Sequence, residues 1–183
     1  MITKKTKKLP YGQADFKSIR TGNKFVYIDK TQFIELLEDE NNASKIFIRP
    51  RRFGKSLFLS TLLYYYDVNY ANEFDKLFGD LYIGQNPTPL KNSYAVMTFN
   101  FLGINTNSVE AFQNSFFENI RHSVCRFIEN HKNVFHNIDN AVNQINKEGY
   151  SAFAALDWSF RIAESAKLKM FVIIDEYDHF ANG

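Results

Sequence analysis

Cysteine is nearly absent: Cys125 stands alone in 183 residues. No intramolecular disulfide can form and no thiolate zinc cage can be built, which excludes a stapled secreted scaffold and fits a reducing compartment. Proline and glycine are scarce, at 4 and 8, so the chain is neither collagen-like nor low-complexity. The longest apolar run, residues 170–174, falls far short of the roughly 20 residues that span a bilayer. The basic residues Lys4, Lys5, Lys7 and Lys8 lead into no apolar stretch of signal-peptide type. Neither sign of charge dominates, since 22 Lys and Arg against 20 Asp and Glu leave +2. Bulk charge therefore implies neither a nucleic-acid nor a membrane surface. Together these absences make a cytoplasmic protein with no membrane partner the expectation.

What is present describes a folded chain. Hydrophobic residues at 45% and charged residues at 23% match globular usage. The 19 phenylalanines read as a Phe-rich core in preference to base-stacking platforms. At about 150 residues per domain the length predicts one domain, here 9–183 behind a flexible basic tail at 1–8.

Strand signals fall at 25–28, 45–49, 94–101 and 169–175. The last is continuously apolar, which predicts burial on both faces. Helical periodicity covers 55–66, about 107–131, about 134–148 and 151–167. A further helix over about 30–39 would be capped by Asp29 with Gln32 in a capping box. In the helix over 107–131, Asn107 with Glu110 has the same spacing; in the last helix, Phe153, Leu156, Phe160 and Ala163 would share the buried face. Strands alternating with helices predict an α/β fold with a parallel sheet flanked by helices.

The chemistry concentrates at two places. Gly54-Lys55-Ser56 follows a strand signal and opens a helix, the context a phosphate-binding loop requires. Unpaired N–H groups at a helix N-terminus attract phosphate oxygens. Gly54 permits close approach, Lys55 reaches the β and γ phosphates, and the Ser56 hydroxyl suits Mg²⁺. The first glycine of a GxxxxGKS loop is replaced by Arg49, in the run Arg49-Pro50-Arg51-Arg52-Phe53-Gly54-Lys55-Ser56-Leu57. The plainer alternative is a helix-capping loop. The second place is the apolar strand that ends in Asp175-Glu176. In P-loop enzymes this pattern serves the metal and orients the attacking water, Asp175 for Mg²⁺ and Glu176 as general base. The histidines His122, His131 and His136 with Cys125 fit no zinc spacing and read as surface or helix-end residues. Tyr64, Tyr65 and Tyr66 read as packing residues.

The run from Arg49 to Ser56, with Leu57-Phe-Leu-Ser-Thr-Leu62 behind it, resembles the phosphate loop of the AAA-ATPase-like family. Leu9-Pro-Tyr-Gly12, Asp15-Phe16, Ile19-Arg20, Tyr27-Ile-Asp-Lys-Thr31 and Ile174-Asp-Glu-Tyr-Asp178 resemble other blocks of that family. The resemblance implies a P-loop NTPase-like sheet and an ATP-binding loop in which Arg49 is ordinary; the leading expectation from the site is a Mg²⁺-dependent ATPase whose bound nucleotide orders loops 49–56 and 176–183 as a switch. The resemblance also implies that Asp29, Lys30 and Thr31 approach the nucleotide, and that relatives continue into later ATPase strands and a PD-(D/E)XK nuclease-like domain. In such P-loop proteins a later strand separates the acidic strand from the phosphate-loop strand. The expectation is therefore a fold truncated after the acidic strand, marginally stable alone, with that strand displaced, mispaired or completed by another chain. Two other readings stay open. One is a non-hydrolysing module that binds nucleotide, or nucleic acid through a downstream domain or the Arg49, Arg51 and Arg52 patch. The other is an inactive fragment of a longer ATPase-nuclease. The oligomeric state is not written in these residues.

Overall fold

The computed structural model describes residues 6–22, 24–38, 44–48, 50, 52–136, 138–147 and 149–178. Arg49, Arg51 and His179 lie outside the described residues. The architecture is α/β, with a two-stranded parallel sheet and flanking helices. The chain divides into two compact units, Met1–Asn92 and Ser93–Gly183.

The first unit is helical: α1 (Phe16–Thr21), α2 (Phe33–Glu38), α3 (Lys55–Tyr66), a 3-10 turn (Val68–Glu73), α4 (Phe74–Phe78) and α5 (Tyr82–Gln85). Its core is aromatic. Phe16, fully buried, stacks on Phe78 at 4.8 Å and meets Tyr27 edge-on at 5.2 Å. Each such side chain contributes about 1.5–3 kcal/mol by leaving water.

Two strand expectations are not met here. Residues 44–48 form no ladder, and Ile46 and Ile48 are 77% and 82% exposed, while Phe47 packs on Phe58 at 5.0 Å. Residues 25–28 reduce to one parallel bridge, Lys8 with Phe25. Val26 and Ile28 stay exposed, so in each segment only alternate residues find packing, and among the described residues neither segment joins a strand ladder. The helix expected from residue 30 starts instead at Phe33, because the Asp29 carboxylate is used in a tight turn. Its Oδ1 accepts from the Thr31 N–H at 2.8 Å and hydroxyl at 2.7 Å.

The second unit contains β1 (Tyr94–Asn100), α6 (Val109–Asn130), α7 (Ile138–Ile145), α8 (Ala152–Ser165) and β2 (Lys169–Asp175). β1 and β2 run parallel in a continuous register from Tyr94 with Lys169 to Asn100 with Asp175. The acidic strand therefore pairs in register with the strand that precedes it in the second unit. Ala95, Met97 and Phe99 of β1 pack on Ile120, Val124, Phe127 and Ile128 of α6 and on Ala155 and Ile162 of α8. α6 is capped by Ser108, whose hydroxyl accepts from the Ala111 N–H at 3.1 Å; the expected Asn107–Glu110 box lies one residue off.

Two burial expectations fail. β2 is not covered on both faces, since Val172 and Ile174 are about half exposed and β1 is its one partner among the described residues. On α8 the buried stripe is Ala152, Ala155, Ser159, Ile162 and Ala163, and Phe153 and Phe160 face solvent. Small residues let that helix approach the sheet closely, and the large ones are excluded. His131, expected at the surface or at a helix end, is the C-cap of α6, where it is buried with Nδ1 2.8 Å from the Phe127 carbonyl oxygen. No helix among the described residues is long and apolar enough to cross a membrane.

Candidate functional site

In the first unit the loop before α3 is shaped by two left-handed residues. Arg52 has φ 69° and Gly54 φ 81°, ψ 25°. This backbone costs glycine nothing and strains arginine. Phe53 closes a turn to the Pro50 carbonyl at 3.3 Å and leaves its own ring 63% exposed. Gly54 is the N-cap of α3 and, as a glycine, supplies no side-chain cap. The first i to i−4 bond runs from Phe58 N–H to the Gly54 carbonyl at 2.9 Å, so the amides of Ser56 and Leu57 precede the hydrogen-bonded ladder. A Cβ built on Gly54 would meet no described atom within 4 Å. Lys55, Ser56 and Leu57 are half-buried in the first turn, while Pro50 and Arg52 are exposed.

Behind this turn α3 is held by hydroxyls that a packing role for Tyr64, Tyr65 and Tyr66 does not capture. The Tyr64 hydroxyl donates to Asp15 Oδ2 at 2.8 Å and the Tyr66 hydroxyl to Glu38 Oε1 at 2.8 Å. The Tyr65 hydroxyl accepts from the Thr88 N–H at 2.8 Å. Burial, the hydrogen bond to Asp15 and the negative charges around it push the Tyr64 phenol above its ordinary range. Burial alone would raise the Asp15 carboxyl. Hydrogen bonds from the Ser18 side chain and backbone, Tyr64 and Ser60 outweigh it, and the net shift is downward. The signal in the sequence was the row of three tyrosines, whose polar tips seek partners when buried.

In the second unit Asp175 closes β2 and Glu176 follows it at φ 55°, a left-handed non-glycine residue. The Glu176 N–H donates to Asp175 Oδ1 at 2.9 Å. Both residues are half-buried, and no described side chain is hydrogen-bonded or ion-paired to the Glu176 carboxylate. Parallel register places Asn100 beside Asp175, with its Oδ1 accepting from the Leu102 N–H at 2.9 Å. Asn100 escaped the sequence reading because only the pairing of β1 with β2 makes it a neighbour of the acidic end.

The residues fit the implied groups. An uncapped helix start with open space at Gly54 suits a phosphate. Ser56 within the first unit and Asp175 within the second each carry a hard oxygen of the kind Mg²⁺ takes. No cluster of three or more His, Cys, Asp or Glu side chains that could hold a metal occurs among the described residues. Cys125 is buried, and burial with the Glu129 charge pushes its thiol up, away from nucleophilic or metal-binding use.

A family model described as predicted AAA-ATPase matches residues 10–183. The chain belongs to this AAA-ATPase-like family. An uncharacterized protein in the vnfD 5' region of Azotobacter chroococcum mcd 1 is 51% identical over 57 residues, which is 31% of this chain and 11% of that protein. No solved structure matches. Membership of the AAA-ATPase-like family supports nucleotide binding at a general level. It also accounts for the motif blocks. Asp15 and Phe16 clasp α3, and Asp29 and Thr31 hold the start of α5 through Tyr82 N–H at 2.8 Å and Ile83 N–H at 3.1 Å.

Proposed function

We propose that this chain is the nucleotide-binding part of a Mg²⁺-dependent ATPase with a P-loop fold, and that it binds ATP phosphates at residues 49–57. The observation that carries the reading is the left-handed, uncapped Gly54 at the start of α3 in a chain of the AAA-ATPase-like family. The amides of the first turn bind phosphate oxygens, and the Lys55 ammonium neutralises charge on the β and γ phosphates. Arg49, Arg51 and Arg52 add charge-assisted contacts around the loop. Ser56 of the first unit and Asp175 of the second each carry an oxygen that would serve Mg²⁺, which supplies neutralisation of phosphate charge when bound. Glu176 takes the proton of the attacking water, and the nucleotide state sets the order of the loop, the switch role.

The test is thermal denaturation and binding titration with ADP and ATP, with and without Mg²⁺. Nucleotide at 100 times its dissociation constant stabilises the fold by about 2.7 kcal/mol. Lys55→Ala should lose that shift. Glu176→Gln should keep it and abolish ATP turnover. No shift at millimolar nucleotide would remove the proposal.

A further inference from the structure

The clasp between α1 and α3 bears on the phosphate loop because of where it grips. Ser56, Ser60 and Tyr64 are spaced four residues apart in one helix, so they share a stripe along its surface. Asp15 holds two of the three. Its Oδ1 caps α1 by accepting the Ser18 N–H at 2.7 Å. Its Oδ2 faces α3, accepting the Tyr64 hydroxyl at 2.8 Å and the Ser60 hydroxyl at 3.4 Å. The Ser60 oxygen in turn accepts the Phe16 N–H at 3.0 Å. α1 itself is fixed: Phe16 is fully buried, Arg20 Nε donates to the Leu77 carbonyl at 2.9 Å, and Lys17 pairs with Glu73 at 2.7 Å. A fixed N-terminus of α1 therefore holds the stripe of α3 that ends in Ser56.

We propose that Asp15, acting through Tyr64 and Ser60, is a positioning residue that sets the roll of α3 and thereby the direction of the Ser56 hydroxyl. This rests on the reading of residues 49–57 as the nucleotide loop. A roll of about 12° at the roughly 5 Å radius of a helix surface moves a side-chain oxygen by about 1 Å. Misplacement of that size can cost on the order of 10²-fold in a function that depends on it. Tyr65 supplies the internal comparison. It lies nine residues after Ser56, about half a turn round the helix. Its buried hydroxyl is bonded to Thr88, so its loss weakens the unit without touching the Ser56 stripe.

The experiment titrates the full chain with ADP in Mg²⁺ and with ADP in a chelator, for wild type, Tyr64→Phe, Asp15→Ser and Tyr65→Phe. Asp15→Ser keeps an N-cap oxygen for α1 but is too short to reach α3. Tyr64→Phe keeps the ring and removes the hydroxyl, so it carries the test if Asp15→Ser does not fold. Wild type should bind ADP more tightly with Mg²⁺. That gain should fall by about tenfold or more in Tyr64→Phe and Asp15→Ser, with chelator-state affinity changed by less than about threefold. Tyr65→Phe should keep the gain while its melting temperature drops comparably. If Tyr64→Phe keeps the gain, or Tyr65→Phe loses it equally, the positioning role is wrong and the loop reading stands. If wild type binds no ADP, the loop reading falls and the positioning role falls with it.

Discussion

Asn100 and Asp175 stand side by side at the carboxyl ends of two parallel strands, with the Phe101 N–H donating to the Asp175 carbonyl at 3.2 Å. The Asn100 side chain turns the chain immediately afterwards by accepting the Leu102 N–H, and its own carbonyl accepts from Asn119 Nδ2 at 2.9 Å. Asn100→Ala should cost about 1 kcal/mol by losing the side-chain acceptor, whereas Asn100→Asp should retain it. Chemical denaturation midpoints of the two variants provide the check, and equal midpoints would remove the role given to the side chain.

Glu176 is held at φ 55° directly after the acidic strand. A non-glycine residue there costs about 1–2 kcal/mol, which Glu176→Gly should return as a raised melting temperature. The same change removes the carboxylate proposed as base, so ATP turnover should vanish in the more stable variant. A Glu176→Gly protein that is less stable than wild type would contradict the strain, and one that still turns over ATP would contradict the base.

Arg52 presents the matching case in the loop before α3 proposed to bind phosphate, left-handed at φ 69° and exposed. Arg52→Gly should stabilise the nucleotide-free chain by up to about 1 kcal/mol and weaken ATP binding, with a shallower dependence of affinity on salt as one cation is lost. Titrations at two ionic strengths measure this. An unchanged salt dependence would mean that Arg52 does not meet phosphate.

Much of the second unit was legible in the sequence because its signals are local. The 94–101 and 169–175 runs and the stripe from Phe112 to Ile128 are long enough that periodicity decides the element, and they became β1, β2 and α6. What escaped depends on partners distant in sequence. Residues 44–48 have strand composition, yet a strand is defined by its neighbour, and among the described residues none pairs with them. The Phe153 and Phe160 stripe on α8 was hydrophobic and still lost to the small-residue face. At the site, Gly54, Lys55, Ser56, Asp175 and Glu176 were readable as motifs. The anchors Asp15, Tyr64, Ser60 and Asn100 required contacts across 49 residues and a strand register that spacing alone does not contain.

Two hydrogen-bonded partners, Asp15 and Tyr64, act on opposite limbs of the stability profile. The carboxyl of Asp15 is lowered in the fold. Its contribution is fully present above the unfolded carboxylate range, near pH 4, and is lost as pH falls through the folded value. The Tyr64 phenol is raised, so its contribution is present below about pH 10 and is lost as pH rises through the folded value. Asp15→Ser should flatten the acid limb and Tyr64→Phe part of the alkaline limb, which Tyr27, Tyr65 and Tyr70 share. Denaturation midpoints from pH 2.5 to 11 decide the point; an acid limb unchanged in Asp15→Ser would show that other groups set it.

Gly84 is the position in the first unit least able to accept a side chain. A Cβ there would sit 1.8 Å from the Phe78 carbonyl oxygen and 2.4 Å from its carbon, both backbone atoms of α4. Gly84→Ala must therefore push α5 away from α4. The start of α5 is where Asp29 and Thr31 accept the Tyr82 and Ile83 amides, so the displacement should break those bonds as well. Overpacking of this kind costs about 1–3 kcal/mol, and each lost bond adds about 1 kcal/mol. Because Asp29→Ala removes part of the same contact, the double variant should be less destabilised than the sum of the single changes. Additive midpoints in a double-mutant cycle would show that Asp29 and Gly84 act independently, and would leave the Tyr27-Ile-Asp-Lys-Thr31 block without this structural reason.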